Sequence, residues 1–410
     1  MIELFPYQKD AVQALLNGKH FCSAKTGVGK GFISLFWAHA QHKPKLLVVT
    51  TASKRDVKLE DGLNDFEHEA DMAFPGWRTS LSSFEVISHQ GLAKWWSAHK
   101  NNINDYAIIV DETAAIKAGI GSQRGRAFLQ IAQHTDCWTG YSATFGDRWI
   151  DYYAYFTATG KVKNKTEFLN KFCRVQTYRG FPEIVGYNNT HILRHWWHEI
   201  ADKVDSSEAD RQLPPENHKT IYFKAPSGYN KVLKTRETLE GEFIETTGGL
   251  TSYLRQLCLT KEKLTWIREY VENLGDRVVM FYNFIATGDK VETELHKALP
   301  DAKVWRIDGK HHDIPNAENC GPQDIVLVQW QAGSMGLNLQ FISYWVSIEP
   351  HYAWSTSEQA RGRVRRIGQK ASHIDFRYLV AENTIEKDIY KVLKEKGEFD
   401  ETLWVQNNNL

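Results

Sequence analysis

At 410 residues the chain is longer than one compact core comfortably holds, so two domains are expected. Its 50 basic and 50 acidic residues balance, which excludes a global field that draws the whole protein to nucleic acid; any such surface has to be local. Five cysteines, far apart and without a CxxC pair, argue against a disulfide framework or a zinc site and fit a reducing cytosol.

The first residues, MIELFPYQKD, lack the basic and apolar regions of a signal peptide, and no apolar run approaches the ~18 residues of a membrane helix. A soluble protein of the cytosol is expected. The chain then opens with a helix over YQKDAVQALLNG, where Val12, Leu15 and Leu16 share a face and Gly18 suits a C-terminal stop. Strand-like runs follow at 20–24, 45–50, 84–88, 106–112 and 137–144, alternating with helical stretches. That alternation is the pattern of an α/β domain with a parallel sheet.

A Lys-, Asn- and aromatic-rich stretch, 158–218, interrupts the pattern and ends in QLPPENH, whose Pro214 and Pro215 suggest a domain boundary. It is read as a mostly helical insertion. Its segment HILRHWWHEI holds His191, His195 and His198 around Trp196 and Trp197. Core packing is the simpler role for the tryptophans and a base-stacking wedge the alternative; the histidines lack a Cys or carboxylate to complete a metal site. A second strand series lies at 277–283, 303–309, 324–330, 344–350 and 373–380, before a closing amphipathic helix around TIEKDIYKVLKEK. The expected division is therefore 1–157, 158–218 and 219–410.

Chemistry concentrates at two points of the first domain. AKTGVGKG follows a short strand and opens a helix, the context in which a Gly/Lys loop cradles phosphates. Gly27 and Gly29 allow the backbone N–H groups to face an anion, with the helix N-terminus behind them, and Lys30 can reach the β- and γ-phosphates. Thr26, Gly27, Val28, Gly29, Lys30 and Gly31 form the expected nucleotide-contacting stretch. The strand YAIIVDE ends in Asp111 and Glu112, at the strand end where α/β sheets bind ligands. An aspartate there can hold Mg²⁺ and a glutamate can polarise the attacking water.

From these residues onward the sequence resembles Swi/Snf-type ATPases of helicase superfamily two. LFPYQKDAV is similar to the family's adenine-reading motif, VDETAAIKAG to its Asp-Glu box, and GYSATFGDRWIDYYAYF to its Ser-Ala-Thr motif. QAGSMGLNLQ and EQARGRVRRIGQ are similar to its last two motifs and disfavour an RNA-directed enzyme. The compact frame looks most like the small DEXH-box DNA helicases of bacteriophages. The resemblance implies two tandem RecA-like domains, ATP and Mg²⁺ as cofactors, and a nucleotide cleft between the domains whose closure and release drive stepping along DNA. It implies Gln8 as purine contact, Ser142 and Thr144 as coupling residues, Gln359 as γ-phosphate sensor, and Arg363 and Arg366 as arginine fingers. Lys54, Ser88, His89, Asn283, Ser334 and Asn338 stand where the family grips the DNA backbone, which positions without reading sequence. The implied partner is duplex or forked DNA, gripped by a monomer in the host cytosol, in phage replication or recombination with protein partners.

One departure from the pattern stands out. Gly31 occupies the place of a Ser or Thr whose hydroxyl meets Mg²⁺. Magnesium keeps several waters and needs few protein ligands, so a water is expected to fill the space, with Asp111 anchoring the shell. The expectation is an active ATPase that is slow or demanding of Mg²⁺. The alternative is a nucleotide-gated DNA-binding scaffold with weak or no hydrolysis.

Overall fold

A computed structural model of the protein describes residues 2–25, 27–56, 61–146, 148–178, 181–204, 207, 213–311, 314–332, 337–366, 368–395, 397 and 399–407. The chain divides into two compact units, Met1–Asp210 and Arg211–Leu410.

Buried apolar runs build the sheet of the first unit. β1 (Phe21–Ser23), β2 (Lys45–Thr50), β3 (Ser83–Ser88), β4 (Tyr106–Asp111) and β5 (Trp138–Ser142) form at the five expected stretches. Leu46 to Val49 and Ala107 to Val110 are buried throughout, as strands covered by helices on both faces must be. All neighbours run parallel, in the order β3-β2-β4-β5-β1, with a short strand, β8 (Ala201–Lys203), beyond β1. Helix α1 (Pro6–Leu16) buries Tyr7, Gln8, Ala11 and Leu15. Leu16, expected on that face, is 40% exposed, because the buried stripe runs through 8, 11 and 15 and the next residue lies a sixth turn or more away from it. Helix α2 (Lys30–Ala40) follows the glycine loop, and α3 (Ala52–Asp56) and α4 (Asp65–Ala73) follow β2.

The stretch 158–218 differs from the expectation of a mostly helical insertion. It contains helices Lys165–Phe172 and Thr190–Ile200, an antiparallel hairpin of β6 (Cys173–Tyr178) and β7 (Phe181–Tyr187), and β8 (Ala201–Lys203). β8 pairs with β1 and becomes the edge of the first sheet. Three residues are too few to leave a periodic signal. Trp197 stacks on Phe21 at 5.6 Å and meets Phe145 edge-on at 4.9 Å, while Trp196 packs against Phe156 and Phe172. Both tryptophans are half-buried and pack against the core, the simpler of the two expected roles. Among the described residues no group of three or more His, Cys, Asp or Glu could hold a metal.

In the second unit, β10 (Val278–Tyr282), β11 (Val304–Ile307), β12 (Ile325–Gln329), β13 (Tyr344–Ser347) and β14 (Ile374–Ala381) form at the expected places. A sixth strand, β9 (Glu216–Phe223), lies alongside β14 over its whole length, giving the parallel order β11-β12-β10-β13-β14-β9. β9 is an edge strand with mostly exposed side chains, so no apolar run betrays it. Lys263 is buried with Glu386, its Nζ donating to both carboxylate oxygens at 2.9 and 2.7 Å and to the Ile348 carbonyl at 3.2 Å. Among the described residues no helix is long and apolar enough to cross a membrane.

Candidate functional site

The glycine loop leaves β1 and turns into α2 through two left-handed residues, Gly27 at φ +83° and Gly29 at φ +80°. Gly29 is also hemmed in sterically: a Cβ there would sit 2.4 Å from the Gln8 side-chain nitrogen. Gln8 clamps the loop, donating from Nε2 to the Val28 carbonyl at 2.9 Å and accepting from the Phe5 N–H at 3.0 Å. The Tyr7 hydroxyl donates to the same Val28 carbonyl at 3.2 Å. Gln8, expected at a purine, thus has a second task, fixing the loop's curl. Thr26 lies outside the described residues.

Lys30 folds back over this loop, its Nζ donating to the carbonyls of Ala24 and Lys25 at 2.9 and 3.0 Å. Burial pushes its ammonium down to about 8; the Glu112 carboxylate opposes the drop, Lys54 adds to it and Asp111 opposes it. A partly desolvated cation held only by carbonyl dipoles is poised for a polyanion, which would restore its charge.

Asp111 and Glu112 project from the carboxyl end of β4. Asp111 is wholly buried, and its Oδ2 accepts from Thr50 Oγ1 and Lys54 Nζ, both at 2.7 Å. Burial would raise its pKa, but the Lys54 charge and these hydrogen bonds win and hold it below the ordinary value. Its Oδ1, equally buried, has no hydrogen-bond partner. Glu112 adopts φ +46°, a left-handed conformation uncommon for a residue with a Cβ and frequent where side chains are aimed for function. From β5, Ser142 Oγ donates to the Thr144 carbonyl at 2.7 Å, and Glu112 Oε2 lies 3.4 Å from the same hydroxyl. The Ser-Ala-Thr stretch is therefore in touch with the second acid.

The Gly31 position departs from the expected water. A Cβ there would stand 1.9 Å from Glu69 Oε2 and 2.9 Å from its Cδ. A carboxylate from α4 fills the space. A residue on a separate helix, 38 positions along, gives no local signal for this; only the missing hydroxyl hinted that something had to replace it.

The residues expected to grip DNA are mostly turned inward. Lys54 is ion-paired with Asp111, its side chain only 17% exposed. Ser88 is buried with Arg55 Nη1 at 3.4 Å, and the His89 ring is buried with Nε2 2.8 Å from the Asp111 carbonyl. Burial lowers the His89 pKa below its ordinary value, which favours a neutral ring bonded to the strand end. In the second unit, Asn283 donates to the Pro350 carbonyl at 3.0 Å and receives the Gln329 amide on its own carbonyl at 2.9 Å. Asn338 accepts a hydrogen bond from Arg366. Ser334 lies outside the described residues. Small polar residues at strand ends serve the frame first, and their motif positions alone did not show that.

The four arginines of the last motif separate into two kinds. Arg361 pairs with Glu358 and reaches Glu216 at 3.9 Å, and Arg365 pairs with Glu216 at 3.0 Å and with the Pro214 carbonyl at 3.2 Å. These two tie the helix Trp354–Val364 to the start of β9. Arg363 follows on a different face, its carbonyl accepting from Leu339 N at 3.1 Å; Gln359 is half-buried on the same helix.

Residues 262–368 match the family described as the helicase conserved C-terminal domain. Across 97% of its length the chain is 23% identical to the human DNA annealing helicase and endonuclease ZRANB3, covering 40% of that protein. It is similar to superfamily-two helicases of the Swi/Snf kind. Other relatives are DNA repair protein RAD5 of Saccharomyces cerevisiae, 28% identical over 38% of this chain and 13% of that protein, and an uncharacterised ATP-dependent helicase of Mycoplasma pneumoniae, 22% identical over 74% of this chain and 31% of that protein. The chain thus spans well under half the length of these helicase relatives, so their whole-protein activities do not carry over as facts.

Proposed function

We propose that the protein is an ATP-dependent DNA translocase or helicase whose first unit binds and hydrolyses the nucleotide. The observation that carries this is the convergence of Lys30, at the start of α2, with Asp111 and Glu112 at the end of β4, near enough for both carboxylates to act on the Lys30 charge. In this reading Lys30 exchanges the Ala24 and Lys25 carbonyls for the β- and γ-phosphates. The N–H groups between Gly27 and Lys30 hold phosphate oxygens, with Gln8 and Tyr7 keeping the loop curled. Glu112 Oε orients the attacking water and takes its proton, and Ser142, beside it, relays the state of that acid to Thr144.

The site fits a divalent cation, since Asp111 Oδ1 is a buried anionic oxygen without a partner and the space beside Gly31 holds a carboxylate. When bound, Mg²⁺ would neutralise charge on the triphosphate. Gln359, Arg363 and Arg366 are proposed to act on the γ-phosphate on the strength of the motif resemblance, and a phage role in replication or recombination is proposed on the same resemblance. DNA is the proposed partner, bound through its backbone. Phosphate release measured on single-stranded, duplex and forked DNA, together with strand displacement on the fork, tests the proposal. Stimulation by DNA that falls steeply with salt supports it; hydrolysis no faster with any DNA, or stimulated by duplex RNA instead, refutes the DNA-motor reading.

A further inference from the structure

The Gly31–Glu69 contact asks why glycine stands in the first turn of a helix. Gly31 is not in the left-handed region, so its backbone does not require glycine. Glycine inside a helix costs about 0.5–1 kcal/mol relative to alanine. The Glu69 carboxylate accounts for it: its oxygen lies 1.9 Å from where a Cβ would stand, so a side chain at 31 and the carboxylate in this position exclude each other. The two positions are therefore one unit, a missing side chain and the acid that replaces it.

The helix that carries Glu69 is well anchored. Helix α4 starts at a capping box in which Asn64 Oδ1 accepts from the N–H groups of Phe66 and Glu67 while Glu67 Oε2 accepts from Asn64 N–H. Phe66 and Ala70, on either side of Glu69, are buried in the core shared with Ile33 and Trp37 of α2. Ser34 Oγ donates to the Gly31 carbonyl at 2.8 Å, which steadies the facing turn.

Two buried oxygens at paired positions of β4 and β5 lack a hydrogen-bond partner. Asp111 Oδ1 is a wholly buried carboxylate oxygen without a hydrogen-bond partner. The Tyr141 hydroxyl, on the β5 residue that pairs with Asp111, is buried and likewise unpartnered. A carboxylate next to a phosphate loop repels a bare triphosphate, and only a cation between them reverses the sign.

We propose that Glu69 supplies the oxygen ligand that the loop lacks at Gly31, so that the divalent cation of the nucleotide is held by two carboxylates, Glu69 and Asp111. This deepens the nucleotide reading above and rests on it. The consequence is strict metal dependence of nucleotide binding itself, with hard, carboxylate-favouring ions such as Mg²⁺ and Mn²⁺ preferred.

The test is equilibrium binding by the full chain of a non-hydrolysable ATP analogue, with Mn²⁺ titrated and followed by electron paramagnetic resonance. Glu69→Gln keeps the shape and removes the charge. It is expected to weaken Mn²⁺ binding in the ternary complex by about tenfold or more, while tightening the analogue's binding in EDTA. Gly31→Thr alone is expected to lose metal binding through the collision, and Gly31→Thr with Glu69→Ala to regain most of it. Equal Mn²⁺ affinity in Glu69→Gln and the unmodified chain, with melting curves showing both folded, overturns the proposal while leaving the nucleotide reading intact. An unmodified chain that binds no analogue with either metal overturns both.

Discussion

In the first unit, Lys30, Asp111, Glu112 and Ser142 reach one place from three strand ends, whereas in the second unit Asn283, Arg365 and Arg366 each fasten one loop to another. Both sets lie in motif-like sequence, but the first includes a lysine held by carbonyls and a buried acid oxygen without a hydrogen-bond partner. The second unit instead carries its own stiffening, above all the buried Lys263–Glu386 pair. The contrast teaches that a motif residue whose polar atoms the fold consumes has to leave those partners before it can serve a ligand, as Arg366 must leave Asn338.

The sharpest way to break the comparison is Glu112→Gln. A general base typically contributes about 10²–10⁴-fold, so hydrolysis should fall by that order while ATP binding persists; loss of binding instead would make Glu112 part of the frame. Lys263→Met should destabilise the second unit by about 3–5 kcal/mol, because it leaves Glu386 buried and uncompensated. Denaturant unfolding reads this out, and Lys263→Met with Glu386→Leu should recover most of the loss. Trp197→Ala should cost up to about 3 kcal/mol of stability, since the ring packs on Phe21 and Phe145. Strand displacement per folded molecule should stay unchanged; a selective loss of displacement would restore the wedge.

A pH experiment sharpens the same contrast. Lys30, lowered to about 8 from 10.5, binds fewer protons folded than unfolded between those values, so the nucleotide-free protein should gain stability as pH rises through that window. Phosphates raise the lysine again, so ATP binding above pH 8 should take up a proton and weaken with further rise. Calorimetry in buffers of differing ionisation enthalpy detects the uptake. The smallest effect is expected from Arg365→Ala: a partly exposed pair with Glu216 contributes about 1 kcal/mol at most, and hydrolysis should be unaffected.

Much of this was legible in the sequence where signals are contiguous. Ten strands announced themselves as apolar runs, and the loop and the Asp-Glu pair are short strings whose chemistry depends on immediate neighbours. What escaped depends on distant pairing. β9 is recognised only by its partner β14, β8 by β1, and Glu69 by a glycine 38 residues earlier. The inward turn of Lys54 follows from where Asp111 lies in the folded sheet, which local pattern does not encode.

The central claim is that the first unit hydrolyses a triphosphate held by Lys30 and processed at Glu112. Single-turnover release of inorganic phosphate from ATP with Mg²⁺ and DNA, comparing the unmodified chain with Lys30→Ala and Glu112→Gln, tests it most directly. The account predicts a phosphate burst from the unmodified chain that is lost in Lys30→Ala together with ATP binding, and lost in Glu112→Gln with ATP still bound. Equal phosphate release from all three proteins would contradict it.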